Sequence, residues 1–170
     1  ELDELTNLAR TSLDSTRELC RALRPSVLDD LGLGPALSWA ATELTKKSGI
    51  EVEVELPQAE LQLSDEQTLL LFRAAQEAFA NIYRHSEATR ASISLSQTDN
   101  TVRMQIRDNG QGFEMPESMR ELAKQGHLGI IGMLERVELT GGDFAIDSTR
   151  NGSPDQFNTT VTAVLRVEPI

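Results

Sequence analysis

Three polar residues of the stretch "QEAFANIYRHSEA" have the spacing of neighbours on one side of a helix. Glu77, Asn81 and Arg84 are separated by four and three residues, so at about 100° per residue they lie together on the helix surface. A carboxylate, an amide oxygen and a guanidinium group one turn apart can hold a hydrated Mg²⁺ and a phosphate together. A solvated helix face is an equally good interpretation of these residues, and His85 taken alone is more often a structural histidine.

A second group of candidate residues follows an apolar strand, in "RDNGQGF". Asp108 ends the strand, and Gly110 and Gly112 come directly after it. Glycine permits positive φ and close approach of a flat ligand to the backbone, and an ionised carboxylate accepts a hydrogen bond from an amine such as that of adenine. A β-turn without a ligand explains an isolated D-x-G-x-G pattern more often than a binding site does.

The third group is "GHLGIIGM", in which Gly126, Gly129 and Gly132 are spaced by three. At the start of a helix, such glycines let free N–H groups and the positive end of the helix dipole face an anion. A glycine-rich loop alone is weak evidence. The three groups in this order are stronger evidence for a nucleotide site than any one of them.

The elements that must position these residues follow from apolar periodicity and turn residues. An amphipathic helix is predicted from Glu1 to about Leu23, with a leucine stripe that suits a partner helix or its own domain equally well. A capping box of Ser64 and Gln67 begins a long helix that reaches about His85. Glu77, Asn81 and Arg84 form a polar stripe on this helix and are predicted to face away from the core. The opposite, apolar face is formed by Thr68, Leu71, Phe72, Ala75, Ala78, Phe79 and Ile82.

Further elements complete an α+β architecture, a helical arm followed by a mixed α/β domain with an antiparallel core sheet. One strand, Ile50–Leu56, alternates strictly and is predicted to point Ile50, Val52, Val54 and Leu56 inward. The segment from Phe113 to about Gln125 is predicted to be a loop. The remaining predictions are helices at about Gly34–Lys47 and Gly126–Leu139, a hairpin-like pair of strands "ASISLSQ" and "VRMQIRD", and two final strands in "GGDFAIDS" and "TTVTAVLRV".

Composition excludes several classes of protein. The 170 residues carry a net charge of -11 and a pI near 4.6, so a nucleic-acid backbone would be repelled. Cys20 is the only cysteine, which leaves neither an intrachain disulfide nor a cysteine zinc cluster. The chain has no apolar run of the roughly 18 residues that span a bilayer and no signal-peptide pattern. We therefore expect a cytoplasmic domain, while membrane anchoring of the parent protein stays open.

The quoted motifs resemble a known family. "QEAFANIYRHSEA", "RDNGQGF" and "GHLGIIGMLERV" are similar to the N, G1 and G2 boxes of the ATP-binding catalytic domain of bacterial two-component sensor histidine kinases. "ALRPSVLDDLGLGPAL" resembles the segment that follows the dimerisation helices in the nitrate-sensing subfamily. The resemblance implies the Bergerat-type sandwich of the GHKL ATPases, in which a mixed, mostly antiparallel sheet is covered by helices. Residues 1–24 would then be a second dimerisation helix and residues 25–170 the catalytic domain.

The resemblance also implies roles for individual residues. Asn81 would ligate Mg²⁺, Asp108 would anchor adenine, and the loop from about Phe113 to Gln125 would be the ATP lid. Thr159 and Thr160 stand where the family usually has G-T-T, with Asn158 in place of the glycine. The residues assigned to catalysis are Glu77 and Asn81, and those assigned to the nucleotide are Asn81, Arg84, His85, Asp108, Gly110, Gly112, Gly126, Leu128, Gly129, Gly132 and Thr160.

The family transfers the γ-phosphoryl group of ATP to a histidine on the first dimerisation helix. The two histidines of this chain, His85 and His127, both lie inside nucleotide boxes, and the first residue is not Met. We therefore expect a fragment that donates phosphate to an acceptor outside it, for relay to a response regulator, with a possible homodimer through the first helix. Two alternatives stay open: a GHKL-type ATPase in which Glu77 activates water, and a module that only binds partners.

Overall fold

The structure is a computed structural model that describes residues 26–59, 61–114 and 128–167. The predicted dimerisation helix, the predicted lid beyond residue 114, and Gly126 lie outside these ranges, so their predictions stay untested. Within the described ranges the helices are α1 (Ser26–Leu31), α2 (Leu33–Ser48), α3 (Asp65–Asn81), a π-helical turn (Ile82–Ser86) and α4 (Leu128–Leu139). The strands are β1 (Glu51–Glu55), β2 (Arg90–Thr98), β3 (Thr101–Asp108), β4 (Asp143–Ser148) and β5 (Thr159–Arg166).

The described strands form one mixed sheet in the order β1-β2-β3-β5-β4. β1 pairs with β2 in parallel, and the other neighbours are antiparallel. The tight turn between β2 and β3 places Asp99 at a φ of 48°, which aspartate tolerates better than most residues. Because β5 inserts between β3 and β4, the ends of these three strands meet at one edge of the cavity described below. This α+β architecture confirms the predicted fold class.

Helices cover one face of the sheet, and the core lies between the two layers. β3 shows the alternation clearly, since Val102, Met104 and Ile106 are buried while Arg103 is exposed. Helix α3 begins as predicted, because the N–H of Gln67 donates to Ser64 Oγ (3.2 Å) and the N–H of Ser64 donates to Gln67 Oε1 (3.0 Å). Such reciprocal bonds satisfy two N–H groups that the helix leaves free.

Three predictions about local structure need correction. The segment before the second helix contains a short helix of its own, α1, and Gly32, at a φ of 81°, separates it from α2. The helix predicted to reach about His85 is α-helical only as far as Asn81, and the chain continues as the π-helical turn. Ile50, directly before β1, is buried, but Val54 within the strand is 36% exposed, because a strand at the sheet edge lacks a neighbour on one side and is only partly covered by helices.

None of the helices in the described part of the chain combines the length and apolar character that a membrane span requires.

Candidate nucleotide site

A cavity of about 380 Å³ lies between the helical layer and the ends of β3, β4 and β5. Its volume falls within the range of small-molecule sites. Its lining, an apolar wall with polar groups beside it, is also typical of such sites. The apolar wall is formed by Ala78, Ile82, Ile106, Phe113, Ile130, Ile146 and Val161. The polar and glycine residues around it are Asn81, Arg84, His85, Ser86, Glu87, Asp108, Gln111, Gly112 and Thr159.

Asp108 is the buried carboxylate of this cavity. The side chain is 4% exposed, and its Oδ1 accepts a hydrogen bond from the N–H of Gly110 (2.9 Å). Burial raises the pKa of the Asp108 carboxyl above its ordinary value of 3.8, and the bond from Gly110 opposes this rise. A desolvated carboxylate in a small apolar cavity is a strong acceptor for a ligand amine, because little water competes for it.

Gly110 and Gly112, in the turn after Asp108, lie so close to the backbone of other segments that a side chain would not fit at either position. A Cβ at Gly110 would overlap the carbonyl oxygen of Ser86, and one at Gly112 would overlap that of Thr149. Gly112 also has a φ of 59°, which favours glycine. The turn is therefore packed between the π-helical turn and the segment after β4, and it forms one wall of the cavity.

The polar stripe of Glu77, Asn81 and Arg84 divides between two environments. Asn81, Arg84 and His85 line the cavity, where Asn81 is half-buried and the other two are exposed. The π-helical turn carries Arg84 and His85, and such turns are frequent at functional sites. Glu77 does not line the cavity, because its carboxylate lies against the backbone of Gly129 at the start of α4.

The glycines of the third motif have different surroundings. A Cβ at Gly129 would overlap Glu77 Oε1, so the Glu77 side chain would have to move aside, whereas a Cβ at Gly132 would meet nothing within 4 Å. Neither glycine lines the cavity. The backbone of Leu128 begins α4, while Gly126 lies outside the described residues.

On β5 the cavity is lined by Thr159, while the predicted Thr160 is not among the lining residues. Successive side chains of a strand point to opposite faces of a sheet, and Asp108 pairs with Thr159 across the ladder. The T-T motif alone does not indicate which of the two threonines faces the helical layer.

Several polar residues that support the site had no functional assignment from the sequence. Ser148 Oγ accepts from the N–H of Phe113 (3.0 Å), and it lies 3.1 Å from Thr159 Oγ1. Gln111 is bonded to the π-helical turn twice, through its N–H to Ser86 O (2.8 Å) and through Nε2 to His85 O (2.9 Å). The asparagine that follows Asp108, Asn109, is a residue type that favours turns, so the sequence did indicate a turn here. No local pattern in the sequence indicated a role for Ser148.

A family model described as histidine kinase-, DNA gyrase B- and HSP90-like ATPase matches residues 66–169. This range holds α3 from Glu66 onward, the turn after Asp108, and α4. The chain belongs to this ATPase family. The resemblance stated from the motifs is thereby confirmed at the level of the family.

Curated relatives of this ATPase domain are sensor kinases. The chain is 33% identical to the sensor histidine kinase MctS of Rhizobium johnstonii, covering 91% of this chain and 32% of that protein. It is 36% identical to the signal transduction histidine-protein kinase/phosphatase DegS of Bacillus subtilis (74% and 33%), and 29% identical to the nitrate/nitrite sensor protein NarX of Escherichia coli (91% and 25%). The chain thus spans about a third or less of these relatives' length.

Solved structures agree with the fold. The Acinetobacter baumannii histidine kinase AdeS superposes with a TM-score of 0.65 at 13% identity, over 99% of this chain and 84% of that one. The mycobacterial sensor histidine kinase MprB gives 0.57 at 20% identity, over 79% and 94%. The family match and the relatives together show an ATPase-family domain similar to those of sensor histidine kinases, among them the nitrate/nitrite sensor protein NarX.

Proposed function

We propose that the cavity binds ATP with its adenine against Asp108 and its phosphates toward Asn81, Arg84 and His85. The observation that carries the proposal is the buried Asp108 carboxylate at one wall of an apolar cavity. Its charge has one hydrogen bond from the backbone, so the amine of adenine would add a donor to a group that burial has desolvated. The apolar wall would enclose the two faces of the base.

The residues toward the other end of the cavity suit a triphosphate and its metal ion. Mg²⁺ prefers oxygen ligands and is usually held by one or two protein groups together with phosphates and water. Asn81 supplies one amide oxygen at the cavity wall, and the described ranges hold no group of three or more His, Cys, Asp or Glu side chains placed to bind a metal. These features fit a magnesium ion that arrives with ATP, with Asn81 as its protein ligand.

The chemistry we propose is transfer of the γ-phosphoryl group of ATP to a histidine on a dimerisation helix. When bound, Mg²⁺ neutralises charge that builds on the transferring group. Arg84, exposed at the cavity, can donate to phosphate oxygens, and His85 can donate beside it. The apolar wall around Asp108 holds the base, which fixes the position of the phosphates and lowers the entropic cost of transfer.

The partners follow from this reaction. The phosphate acceptor would be a histidine of the parent protein's dimerisation domain, and a response regulator would receive the phosphate next. We place the reaction in the cytoplasm, where ATP is available. Dimerisation through residues 1–24 belongs to the same proposal, as do the roles of Gly126, Leu128, Gly129 and Gly132 around the phosphates, while Thr159 takes the role assigned to Thr160 because it lines the cavity.

The hydrolytic alternative is not favoured by the position of Glu77. A general base must lie within hydrogen-bond reach of the water that it activates, directly or through one further water. The Glu77 carboxylate is instead packed against Gly129 and does not line the cavity.

Calorimetric titration of the chain with ATP and Mg²⁺ tests the proposal. We expect saturable binding of ATP and ADP, and much weaker binding of GTP, which places a carbonyl where adenine has an amine. Labelled ATP should then transfer phosphate to an added polypeptide that carries the parent's histidine-bearing helix. The chain itself should acquire no acid-labile label. Failure to bind ATP would overturn the proposal, and stable label on His85 or His127 would overturn the assignment of the acceptor.

A further inference from the structure

The loop of residues 149–158 is hydrogen-bonded to the end of β3 at Asp108 and to the turn that follows it. Two backbone bonds connect them, from the N–H of Asn158 to Asp108 O (2.8 Å) and from the N–H of Asn151 to Gln111 O (2.8 Å). The loop precedes β5, and the turn follows β3. Because β3 and β5 are neighbours in the sheet, the two segments leave the ladder side by side.

The side chain of Asn158 adds a second connection, between the loop and the glycine of the turn. It is 7% exposed, and its Nδ2 donates to Gly110 O (2.8 Å) and to Ser153 O (3.1 Å), with Asn109 O at 3.5 Å. Asn158 stands where the resembled family usually has glycine. A glycine could not make these bonds, because they require the side-chain amide.

Asn109 holds the same turn from the opposite side. Its Oδ1 accepts from the N–H groups of Thr89 (3.0 Å) and Arg90 (2.8 Å), and its Nδ2 donates to Thr89 Oγ1 (3.0 Å) and Pro154 O (2.9 Å). The turn is therefore fixed both to the start of β2 and to the loop. Buried amides with all their partners present restrict a segment to one conformation.

The bonds form a continuous path from Asn158 to the Asp108 carboxylate. Asn158 Nδ2 holds the carbonyl of Gly110, and the N–H of the same glycine holds Asp108 Oδ1 (2.9 Å). Glycine has more backbone freedom than other residues, so the orientation of this residue depends on such bonds. Loss of the Asn158 amide would release Gly110 at its carbonyl and let the carboxylate turn.

We propose that Asn158 is a positioning residue that aims the Asp108 carboxylate at the 6-amino group of adenine and so sets the selectivity of the site for adenine. This inference rests on the proposed ATP-binding function. It adds that selectivity depends on a residue of the 149–158 loop that touches no ligand itself.

The test measures selectivity rather than affinity alone. Dissociation constants for ATP and for purine riboside triphosphate, which lacks only the 6-amino group, are compared in the wild type, Asn158→Ala, Asp108→Asn and the double variant. The wild type should prefer ATP on the order of tenfold or more. Asn158→Ala should reduce this ratio at least about threefold, and the double variant should show the ratio of Asp108→Asn alone, because both substitutions act through one carboxylate.

A control separates positioning from general destabilisation. Gln67→Ala removes the capping-box bond from the N–H of Ser64 to Gln67 Oε1 and the bond from Gln67 Nε2 to Arg166 O, far from the turn, and should keep the wild-type ratio. If Asn158→Ala does not fold, Gly152→Ala replaces it, because a Cβ at Gly152 would overlap Asn158 Oδ1 and displace the amide without removing it. The Gly152 variant should also lower the ratio.

The outcomes distinguish the two proposals. A wild type that does not bind ATP overturns the proposed function, and the inference with it. A wild type that binds ATP selectively, with Asp108→Asn losing the selectivity, supports the function. If the Asn158 or Gly152 variant then keeps the full ratio, even with equal losses for both nucleotides, the positioning role is overturned and Asn158 is only structural.

Discussion

The two ends of the cavity differ in how their polar groups are held. At the end assigned to adenine, Asp108 and Asn158 are buried and bonded to the backbone around them. At the end assigned to phosphate, Arg84 and His85 are exposed on a single π-helical turn. The first arrangement is formed before any ligand arrives, whereas exposed long side chains lose rotamer freedom when they bind.

This difference suggests that the two ends of the cavity recognise different parts of the nucleotide in different ways. A neutral base offers little electrostatic attraction, so its recognition depends on accurate placement of one carboxylate in an apolar wall. Phosphates carry charge and attract cationic side chains from a distance. We therefore expect substitutions at the adenine end to have larger effects, and effects on stability as well as binding, than substitutions at the phosphate end.

The largest effect is expected from Gly110→Ala. The new Cβ would overlap the Ser86 carbonyl, and a backbone atom cannot move aside as a flexible side chain can. We expect a loss of about 1–3 kcal/mol in the free energy of unfolding and loss of ATP binding. Urea denaturation and calorimetry measure the two.

The matched control for this substitution is Gly132→Ala, at a glycine in α4 where a Cβ meets nothing within 4 Å. Alanine is favoured over glycine in a helix interior by roughly 1 kcal/mol, so this variant should be as stable as the wild type or more stable. Equal destabilisation by the two substitutions would contradict the packing argument.

Asp108→Asn should weaken the binding of every adenine nucleotide while the fold survives. Losing a charged acceptor for a buried amine costs about 1.5–3 kcal/mol, which corresponds to roughly 10- to 150-fold in the dissociation constant. Calorimetry measures the affinity, and circular dichroism checks the fold. Unchanged affinity in a folded variant would show that Asp108 does not contact the base.

Asn81→Ala tests the phosphate end. Removing the amide oxygen should reduce the affinity for ATP with Mg²⁺ by up to about tenfold and abolish its dependence on Mg²⁺, while ADP without metal binds nearly as before. Asn100→Ala, in the exposed turn between β2 and β3, is the control. Equal losses with and without metal would mean that Asn81 has a structural role.

The smallest expected effect is a pH dependence of stability that comes from Asp108 alone. Burial raises the pKa of its carboxyl above 3.8 in the folded state, so between these two pKa values the folded protein binds more protons than the unfolded one. Stability contributed by this group is therefore present below pH 3.8 and falls as pH rises toward the raised pKa, where it levels off.

Urea denaturation of the wild type and Asp108→Asn across this pH range measures the effect. The wild type should lose stability relative to the variant as pH rises. A difference that stays constant with pH, or that changes in the opposite direction, would show that the folded-state pKa of Asp108 is not raised.

Local patterns predicted the parts of the fold that depend on neighbours in the chain. The capping box of Ser64 and Gln67 was correct because both of its bonds join residues three apart. Strand β3 lies where "VRMQIRD" predicted a strand, and it is a central strand with a sheet neighbour on each side. The same reasoning failed for Val54, since alternation alone does not distinguish an edge strand from a central one.

The candidate site was predictable only in outline. Residue types and order pointed to Asn81 and Asp108, and the structure brings both to one cavity. Helical spacing also grouped Glu77 with Asn81, but it could not place α4 and therefore missed the contact of Glu77 with Gly129. The roles of these residues in binding stay predictions until nucleotide affinities are measured.

The sequence by itself determined the class of fold, the family and the order of the three motifs, because each depends on residue types at short spacings. Only the tertiary structure decided that Thr159 rather than Thr160 faces the cavity, and that Asn158 holds Gly110. The bond between these last two joins residues 48 positions apart. It exists because β3 and β5 pair in the sheet, and such a contact leaves no periodic trace in the chain.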